Sequence, residues 1–187
     1  ILGGVLNIPA ASAIGSGVLN LNGGTIDATG GSDLTLTNVV SLNGGVNFGS
    51  TRSLSFSNAA ETLITANSTI TMLGGSSNTN SLNFQTVSAN AAGRTLTVNR
   101  VQGSSVVLNI ATLNLNNLSS GTAGTTTLSG NGVVNIANPL TATLAGSAFT
   151  YSGTGVLTLN GAATYTGLTT LSGAGTVRLG AGGNLPS

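Results

Sequence analysis

The segment GTGVLTLNGAATYTGLTTLSGAGTVRLG, residues Gly153–Gly180, contains three short apolar runs separated by glycines. The runs are Val156–Leu159, Leu168–Leu171 and Val177–Leu179. Short runs of leucine and β-branched residues that are cut by Gly and Asn are typical of strands joined by tight turns. No run is long enough for a helix. The segment therefore predicts strand–turn–strand structure, and most of the chain follows the same pattern.

The composition of the 187 residues limits the choice of fold. Charged residues make up 4% and aromatic residues 3% of the chain, whereas glycine contributes 29 residues. With a mean hydropathy of +0.38, the chain does not fit ordinary disorder, which needs low hydrophobicity and high net charge. Its apolar runs are far shorter than the about 20 residues that cross a membrane as a helix. A narrow aliphatic core stacked in layers needs few aromatic residues, and this favours a solenoid.

Strand candidates recur along the whole chain with short gaps. Most alternate between apolar and polar residues, as in Leu34–Thr37, so that the apolar side chains share one face. The candidates are Leu6–Ile8, Val18–Leu21, Thr25–Ala28, Leu34–Val40, Leu42–Phe48, Leu54–Phe56, Leu63–Ala66, Thr69–Leu73, Leu82–Val87, Thr95–Val98, Val106–Ile110, Leu113–Leu118, Thr125–Leu128, Val133–Ile136, Thr141–Leu144, Phe149–Tyr151, Val156–Leu159, Thr169–Leu171 and Thr176–Leu179.

Two all-β architectures fit so many short strands, a β-solenoid and a β-sandwich. About twenty strands exceed the seven to nine of a single sandwich, and the scarcity of aromatic core residues also disfavours it. With about 20 residues per coil and about 4.8 Å per coil, the chain would form about nine coils and a rod of about 40 Å. We predict one β-solenoid module over residues 1–187, with a right-handed parallel β-helix as its form and a β-sandwich as the alternative.

The two ends of the chain carry similar patterns. Gly4–Ser16 aligns without gaps on Gly175–Ser187, and apolar positions coincide. The alternative explanation is chance similarity among Gly/Ala-rich segments. The alignment predicts that the chain is one unit of a longer tandem array, or of a filament joined end to end. The residues predicted to form the contacting edges are Val5, Leu6, Ile8, Ile14, Val177, Leu179 and Leu185.

The segment Gly153–Gly180 resembles the autotransporter-associated β-strand repeat of long bacterial surface proteins. It departs from the family pattern at Ala163, where Asn is usual, and at Leu168, where a second Gly is usual. The resemblance covers about a sixth of the chain. It implies a β-helical fold and an exported, cell-surface location, but no substrate, because these repeats are scaffold. The matching positions are Gly155, Leu157–Leu159, Gly161, Thr164–Gly167, Thr169, Thr170 and Gly175–Val177.

Few residues could carry catalysis or bind a metal. The acidic residues are Asp27, Asp33 and Glu61, and His and Cys are absent, so bases and nucleophiles are scarce. Asp27 and Asp33 could meet as paired carboxylates, as glycan hydrolysis requires. In their glycine-rich context such residues are more often turn formers that bond their own backbone. Gly23–Asp27 also lacks the third glycine of a calcium-binding nonapeptide repeat. We predict no catalytic residues, no cofactor, no metal site and no enzyme activity.

The charge balance argues against several partners. The net charge is +1, and the four arginines (Arg52, Arg94, Arg100 and Arg178) are scattered along the chain. Binding to nucleic acid or to acidic lipid needs a basic patch, which this pattern does not provide. We therefore predict no nucleic-acid partner and no membrane insertion of this segment.

Threonine pairs suggest one binding face. Thr-x-Thr triplets ranked on a solenoid face would resemble an ice-binding surface. Their separations of 34, 26 and 46 residues fit no single coil length. Most of these threonines are therefore predicted to be ordinary outward-facing residues of strands in which apolar and polar residues alternate. The pairs are Thr35/Thr37, Thr69/Thr71, Thr95/Thr97 and Thr141/Thr143.

Asparagines and aromatic residues each allow two interpretations. Asparagines at strand ends could form side-chain ladders between coils or could merely tolerate left-handed turns. The aromatic residues could form a glycan-stacking strip. Most of them, however, fall at core-facing positions of the strand alternation, which favours a place in the core. The asparagines are Asn20, Asn22, Asn43, Asn58, Asn116, Asn131, Asn138 and Asn160, and the aromatic residues are Phe48, Phe56, Phe84, Phe149, Tyr151 and Tyr165.

The sequence thus predicts a structural subunit or stalk of a bacterial cell-surface or extracellular fibre. Open sheet edges are normally guarded by charge or proline, and this chain has few of either near its ends. We predict that its coils stack head to tail on another copy or module, a heterologous contact that generates a filament. A host or matrix surface is a second candidate partner. The alternative is an adhesin or binding module that recognises glycan or ice through a Thr/Asn-rich face.

Overall fold

The computed structural model describes residues 1–57, 61–116 and 121–186. The protein is all-β, with 46% of its residues in strands and 2% in helix. Its helical part is a 3-10 turn at Ala11–Ile14. Within the described ranges, no helix combines the length and apolarity needed to cross a membrane.

Nineteen strands lie in the described residues. Most are three to five residues long, as expected where turn residues interrupt short apolar runs. They are β1 (Val5–Ile8), β2 (Leu19–Leu21), β3 (Thr25–Ala28), β4 (Leu34–Leu36), β5 (Val40–Leu42), β6 (Gly45–Phe48), β7 (Leu54–Phe56), β8 (Thr62–Ile64), β9 (Ser68–Met72), β10 (Ser81–Ala89), β11 (Thr95–Arg100), β12 (Val107–Asn114), β13 (Thr125–Ser129), β14 (Val133–Ile136), β15 (Leu140–Thr141), β16 (Ala148–Tyr151), β17 (Val156–Leu159), β18 (Thr169–Leu171) and β19 (Thr176–Leu179).

These strands stack as a β-solenoid of about seven turns. Every pairing between the described strands is parallel. A sandwich is built from antiparallel sheets, so the β-sandwich alternative is wrong and the β-solenoid is confirmed. Its right-handed form stays a prediction.

Two parallel sheets run along the stack. The first contains eight strands in the order β1-β3-β6-β9-β11-β13-β16-β18. The second contains eleven, with the main path β19-β17-β14-β12-β10-β8-β5-β2. In this second sheet β10 is long because its first half pairs with β7 and its second half with β8. Likewise β12 pairs with both β14 and β15.

Coil length varies along the rod, and this corrects the predicted coil number. Val5 pairs with Thr25, 20 residues later, whereas Thr95 pairs with Thr127, 32 residues later. Longer middle coils accommodate segments between strands, such as Leu73–Asn80. The chain therefore forms about seven turns rather than nine. The stack is about 34 Å long at about 4.8 Å per coil, somewhat shorter than expected.

The core is a column of alternate side chains from both sheets. In β9, for example, every second residue is buried, as strand geometry requires. Each fully buried aliphatic side chain contributes about 1.5–3 kcal/mol. Phe56 and Phe84, from neighbouring coils, stack with ring centroids 5.3 Å apart. Apolar burial between coils is thus continuous along the rod.

Several strand boundaries differ from those expected. Leu34–Val40 is interrupted, because the buried Asn38 donates its side-chain amide to the carbonyl oxygens of Gly15 (3.1 Å) and Gly17 (2.7 Å). At Asn38, side-chain hydrogen bonds thus take the place of backbone pairing between strands. Most of the candidate Val106–Ile110 and the first two residues of the candidate Leu113–Leu118 belong to the single strand β12. Leu118 lies outside the described residues.

The two aligned chain ends occupy different sheets. Leu6 lies in β1, the first strand of the eight-stranded sheet, whereas Val177 lies in β19 of the eleven-stranded sheet. The aligned positions are therefore not structurally equivalent, because alternation repeats in every strand and cannot distinguish one sheet from the other. Ser187 lies outside the described residues, and the tandem unit over residues 1–187 stays a prediction.

Candidate functional site

The last coil of the described residues carries apolar side chains that no other described coil covers. Leu171 is in register with the buried Tyr151, and Leu179 with the buried Leu159. Both leucines are nevertheless 52% exposed, and Leu168 is 73% exposed. Each of the strands β18 and β19 has one partner in its sheet. The last coil thus presents an apolar surface and unpaired backbone groups, the features that favour strand addition.

The predicted edge residues near the C terminus differ in exposure. Val177 is partly buried and points inward with Leu157. Leu185 is also partly buried and packs against the core. It follows an isolated parallel bridge between Ala162 and Asn184. Leu179 is therefore the most exposed of these predicted contacts.

The first coil is more closed than the last. Val5 lies in β1 and is 65% exposed, whereas Leu6 is partly buried and Ile8 is fully buried. Ile14 lies in the 3-10 turn, which contacts β4 and covers the edge of the second sheet there. The other end strand of this coil, β2, is bonded by Ile1 through backbone hydrogen bonds to Asn20 and Asn22. The free strand edge of the first coil is therefore β1, and Ile8 offers no exposed surface.

The outer face of the eight-stranded sheet carries ranks of hydroxyl groups. Thr69 pairs with Thr97, which pairs with Ser129. Thr95, Thr127, Thr150 and Thr170 are in register on four successive coils. We call these seven residues the hydroxyl face. The unequal separations in sequence do not prevent this alignment, because coil lengths are unequal and register is kept nonetheless.

The other predicted threonine pairs lie elsewhere. Thr35 belongs to β4 and Thr141 to β15, and both strands are in the eleven-stranded sheet. Of the four Thr-x-Thr triplets, that of β11 therefore lies wholly on the hydroxyl face. That of β9 contributes Thr69, whereas Thr71 is in register with Asn99.

An amide ladder crosses the eleven-stranded sheet. The side-chain amide of Asn135 donates to Asn109 (3.1 Å), that of Asn109 to Asn83 (2.8 Å), and that of Asn83 to Ser55 (2.9 Å). A cavity of about 250 Å³ lies beside the ladder and is lined by Asn83, Gln85 and Asn109 among others. These asparagines were missed because they lie within strands. Their signal was an asparagine between two apolar residues, repeated every 26 positions.

The strand-end asparagines also join coils. Asn116 accepts hydrogen bonds from the backbone amides of Thr143 (2.8 Å) and Leu144 (3.2 Å). Asn131 accepts one from the amide of Arg100 (2.7 Å). Among the described residues, Ser50 is the one non-glycine residue with positive φ. The left-handed interpretation is therefore wrong for the described asparagines, and Asn58 lies outside them.

The acidic residues also bond to other coils. Asp27 accepts hydrogen bonds from the amide of Thr51 (2.9 Å) and from its hydroxyl. Asp33 accepts one from the amide of Ser53 (3.0 Å). Glu61 accepts one from the side chain of Asn114 (3.0 Å). For Asp27 and Asp33, which were expected to bond to their own turns, these hydrogen bonds run between coils instead. No three acidic side chains of the described segments are grouped as metal ligands would be.

All six aromatic side chains lie in the core, each at most 4% exposed. The glycan-stacking strip is therefore wrong, and the core interpretation is confirmed. Tyr165 packs edge-on against Phe149 and shares a 2.6 Å hydrogen bond with the hydroxyl of Thr169. Burial raises the pKa of the Tyr151 and Tyr165 phenols.

The surfaces that remain as candidates are the end of the last coil, the free edge of β1 and the hydroxyl face. The resemblance of Gly153–Gly180 to autotransporter-associated repeats stays a sequence-based expectation. Comparisons with protein-family models, curated proteins and solved structures found no match to this chain.

Proposed function

We propose that the chain is a structural length of a bacterial cell-surface or extracellular fibre. It acts as a stalk and is extended by end-to-end stacking of β-coils. The partner in this contact is a coil of the same kind, from a second copy or from the next module of a tandem array. The observation that carries the proposal is the apolar end of the last coil, where Leu171 and Leu179 are each 52% exposed.

Stacking of another coil would bury those side chains in the way that inner coils bury theirs. Leu159 and Tyr151, one coil earlier, are 0% and 4% exposed. Burial of a leucine contributes about 1.5–3 kcal/mol. The added strands would also pair the free backbone groups of β18 and β19. Both terms favour continuation of the rod over exposure of its end.

The two ends of the rod favour head-to-tail contact. The last coil exposes Leu171 and Leu179, which occupy positions that are buried in the coil before. The first coil exposes the free edge of β1, and its 3-10 turn covers β4. Two such different surfaces make a heterologous contact, which extends into a filament unless its rotation closes a ring.

The proposed location outside the cell is supported by the resemblance of Gly153–Gly180 to repeats of bacterial surface proteins. In those proteins the repeats are scaffold. A scaffold role suits a chain whose three acidic side chains all bond to other coils. In this proposal a host or matrix surface is a partner of the whole fibre.

Introduced cysteines test the contact cleanly, because the chain contains none. Stacking would continue the eight-stranded sheet from β18 of one copy to β1 of the next. We expect chains that carry Thr170→Cys with either Val5→Cys or Asn7→Cys to form ladders of disulfide-linked multimers on mild oxidation. Neighbouring strands about 4.8 Å apart satisfy disulfide geometry. The control pair Thr170→Cys and Thr158→Cys should form no ladder, because Thr158 lies on β17, which is paired with a strand on each side.

A charge placed on the apolar end gives a second test. We expect Leu171→Lys to reduce self-association in light scattering, because lysine at the end would have to be buried. The control is Leu73→Lys, which changes an exposed leucine (39%) in the body of the rod. Ladders in the control pair alone, or equal association of both lysine variants, would refute the proposed contact.

A further inference from the structure

We propose that the hydroxyl face of the eight-stranded sheet binds ice, the crystal lattice of water. The face was defined above by seven threonine and serine residues on β9, β11, β13, β16 and β18. This inference goes beyond the stalk role and does not depend on end-to-end assembly.

The hydroxyl groups form two neighbouring ranks that run along the rod. One rank is Thr95, Thr127, Thr150 and Thr170. The other begins with Thr69, Thr97 and Ser129. It continues one residue beyond β16 and β18, where the amides of Ser152 and Ser172 donate to the preceding coil at 3.0 Å. Nine hydroxyls thus occupy two ranks over five successive coils.

The two ranks make a two-dimensional array with fixed spacings. Coils follow each other at about 4.8 Å, and residues two apart on a strand are separated by about 6.6 Å. Because strand pairing sets both distances, the backbone positions that carry the hydroxyls repeat regularly along the rod. Such an array matches a ligand that is itself periodic in two dimensions. A single small molecule would contact only a few of these groups.

The side chains of the array are held in place before any ligand arrives. The hydroxyls of Thr97 and Ser129, in the same rank, lie 2.9 Å apart and share a hydrogen bond. Threonine is also stiff at χ1 because it is β-branched. Groups that are already ordered lose little side-chain entropy on binding. A preorganised rank can therefore bind a lattice through many individually weak contacts.

The chemistry of the face favours water over other periodic ligands. None of the nine residues is charged, so the face does not suit an ionic crystal or an acidic polymer. A crystalline polysaccharide would be expected to stack its sugar rings on exposed aromatic side chains. All six aromatic residues of this protein are buried. Hydroxyl groups alone remain, and these can replace water molecules at the surface of ice.

The test is growth of ice in the presence of the purified full chain. We expect wild-type protein to shape single ice crystals, to give thermal hysteresis and to slow recrystallisation. The variant Thr127→Tyr with Thr150→Tyr places two bulky rings in one rank and should lose most of this activity. The matched control is Thr158→Tyr, a half-exposed outward position on β17 of the other sheet, which should keep it. Circular dichroism checks that each variant is folded.

If the tyrosine pair fails to fold, Thr127→Ala with Thr150→Ala removes the same hydroxyls with less disturbance and should also weaken ice binding. Unaltered ice growth with the wild-type protein would overturn the inference. Equal activity of the folded face variants and the control would do the same. Co-sedimentation with crystalline cellulose or chitin, without any effect on ice, would assign the face to a polysaccharide instead.

Discussion

At the scale of single residues, Asp27 joins two coils by accepting the amide and the hydroxyl of Thr51. Asp27 is buried, whereas Asp33, which accepts the amide of Ser53, is exposed. We expect Asp27→Ala to lower the free energy of unfolding by about 1–3 kcal/mol, because a part-buried amide loses its acceptor. Asp33→Ala should change it by about 0.5 kcal/mol or less, since water can replace the carboxylate. Chemical denaturation measures both, and equal losses would contradict this account.

The two buried tyrosines set the response of the fold to alkaline pH. Burial raises the pKa of Tyr151 and Tyr165 in the folded protein above the ordinary tyrosine value of 10.0. Between the unfolded and folded pKa values the unfolded chain therefore binds fewer protons, and stability falls as pH rises. We expect the free energy of unfolding to be constant up to about pH 9 and to fall above about pH 10. A Tyr151→Phe, Tyr165→Phe variant should lack most of this fall, and an unchanged fall would count against the assignment.

At the scale of elements, glycines allow the turns of successive coils to touch. A side-chain carbon at Gly155 would overlap the carbonyl oxygen of Gly132, and one at Gly175 would lie 2.5 Å from that of Gly155. We expect Gly155→Ala to cost about 1–3 kcal/mol through overpacking. The control is Gly31→Ala, because nothing lies within 4 Å of a side-chain carbon there. Thermal unfolding compares the two, and similar midpoints would show that the turns do not need this close contact.

Alternation along the strands was enough to predict the solenoid and most of its core. It identified Leu157 and Leu159 as one face of a strand, and both are fully buried. It did not show which residues are neighbours between coils, because those depend on coil lengths of 20 to 32 residues. The ranks through Thr127 and the ladder through Asn109 were therefore missed or misjudged. A search for an asparagine between two apolar residues would have found the ladder. The threonine rank has no such signature, because Thr126 and not an apolar residue precedes Thr127.

At the scale of the whole molecule, about seven coils stack along two continuous parallel sheets. The body of the rod is bonded from coil to coil by backbone, amide and carboxylate groups. Its last coil keeps Leu171 and Leu179 half exposed. A body bonded from coil to coil, with exposed leucines on its last described coil, suits the proposed role as a length of fibre.

Electron cryo-microscopy of concentrated wild-type protein tests this claim most directly. The account predicts filaments in which strands about 4.8 Å apart follow one another along the axis, with the same spacing across the junctions between copies. Separate particles about 34 Å long, with their end coils in contact with nothing at any concentration, would contradict it.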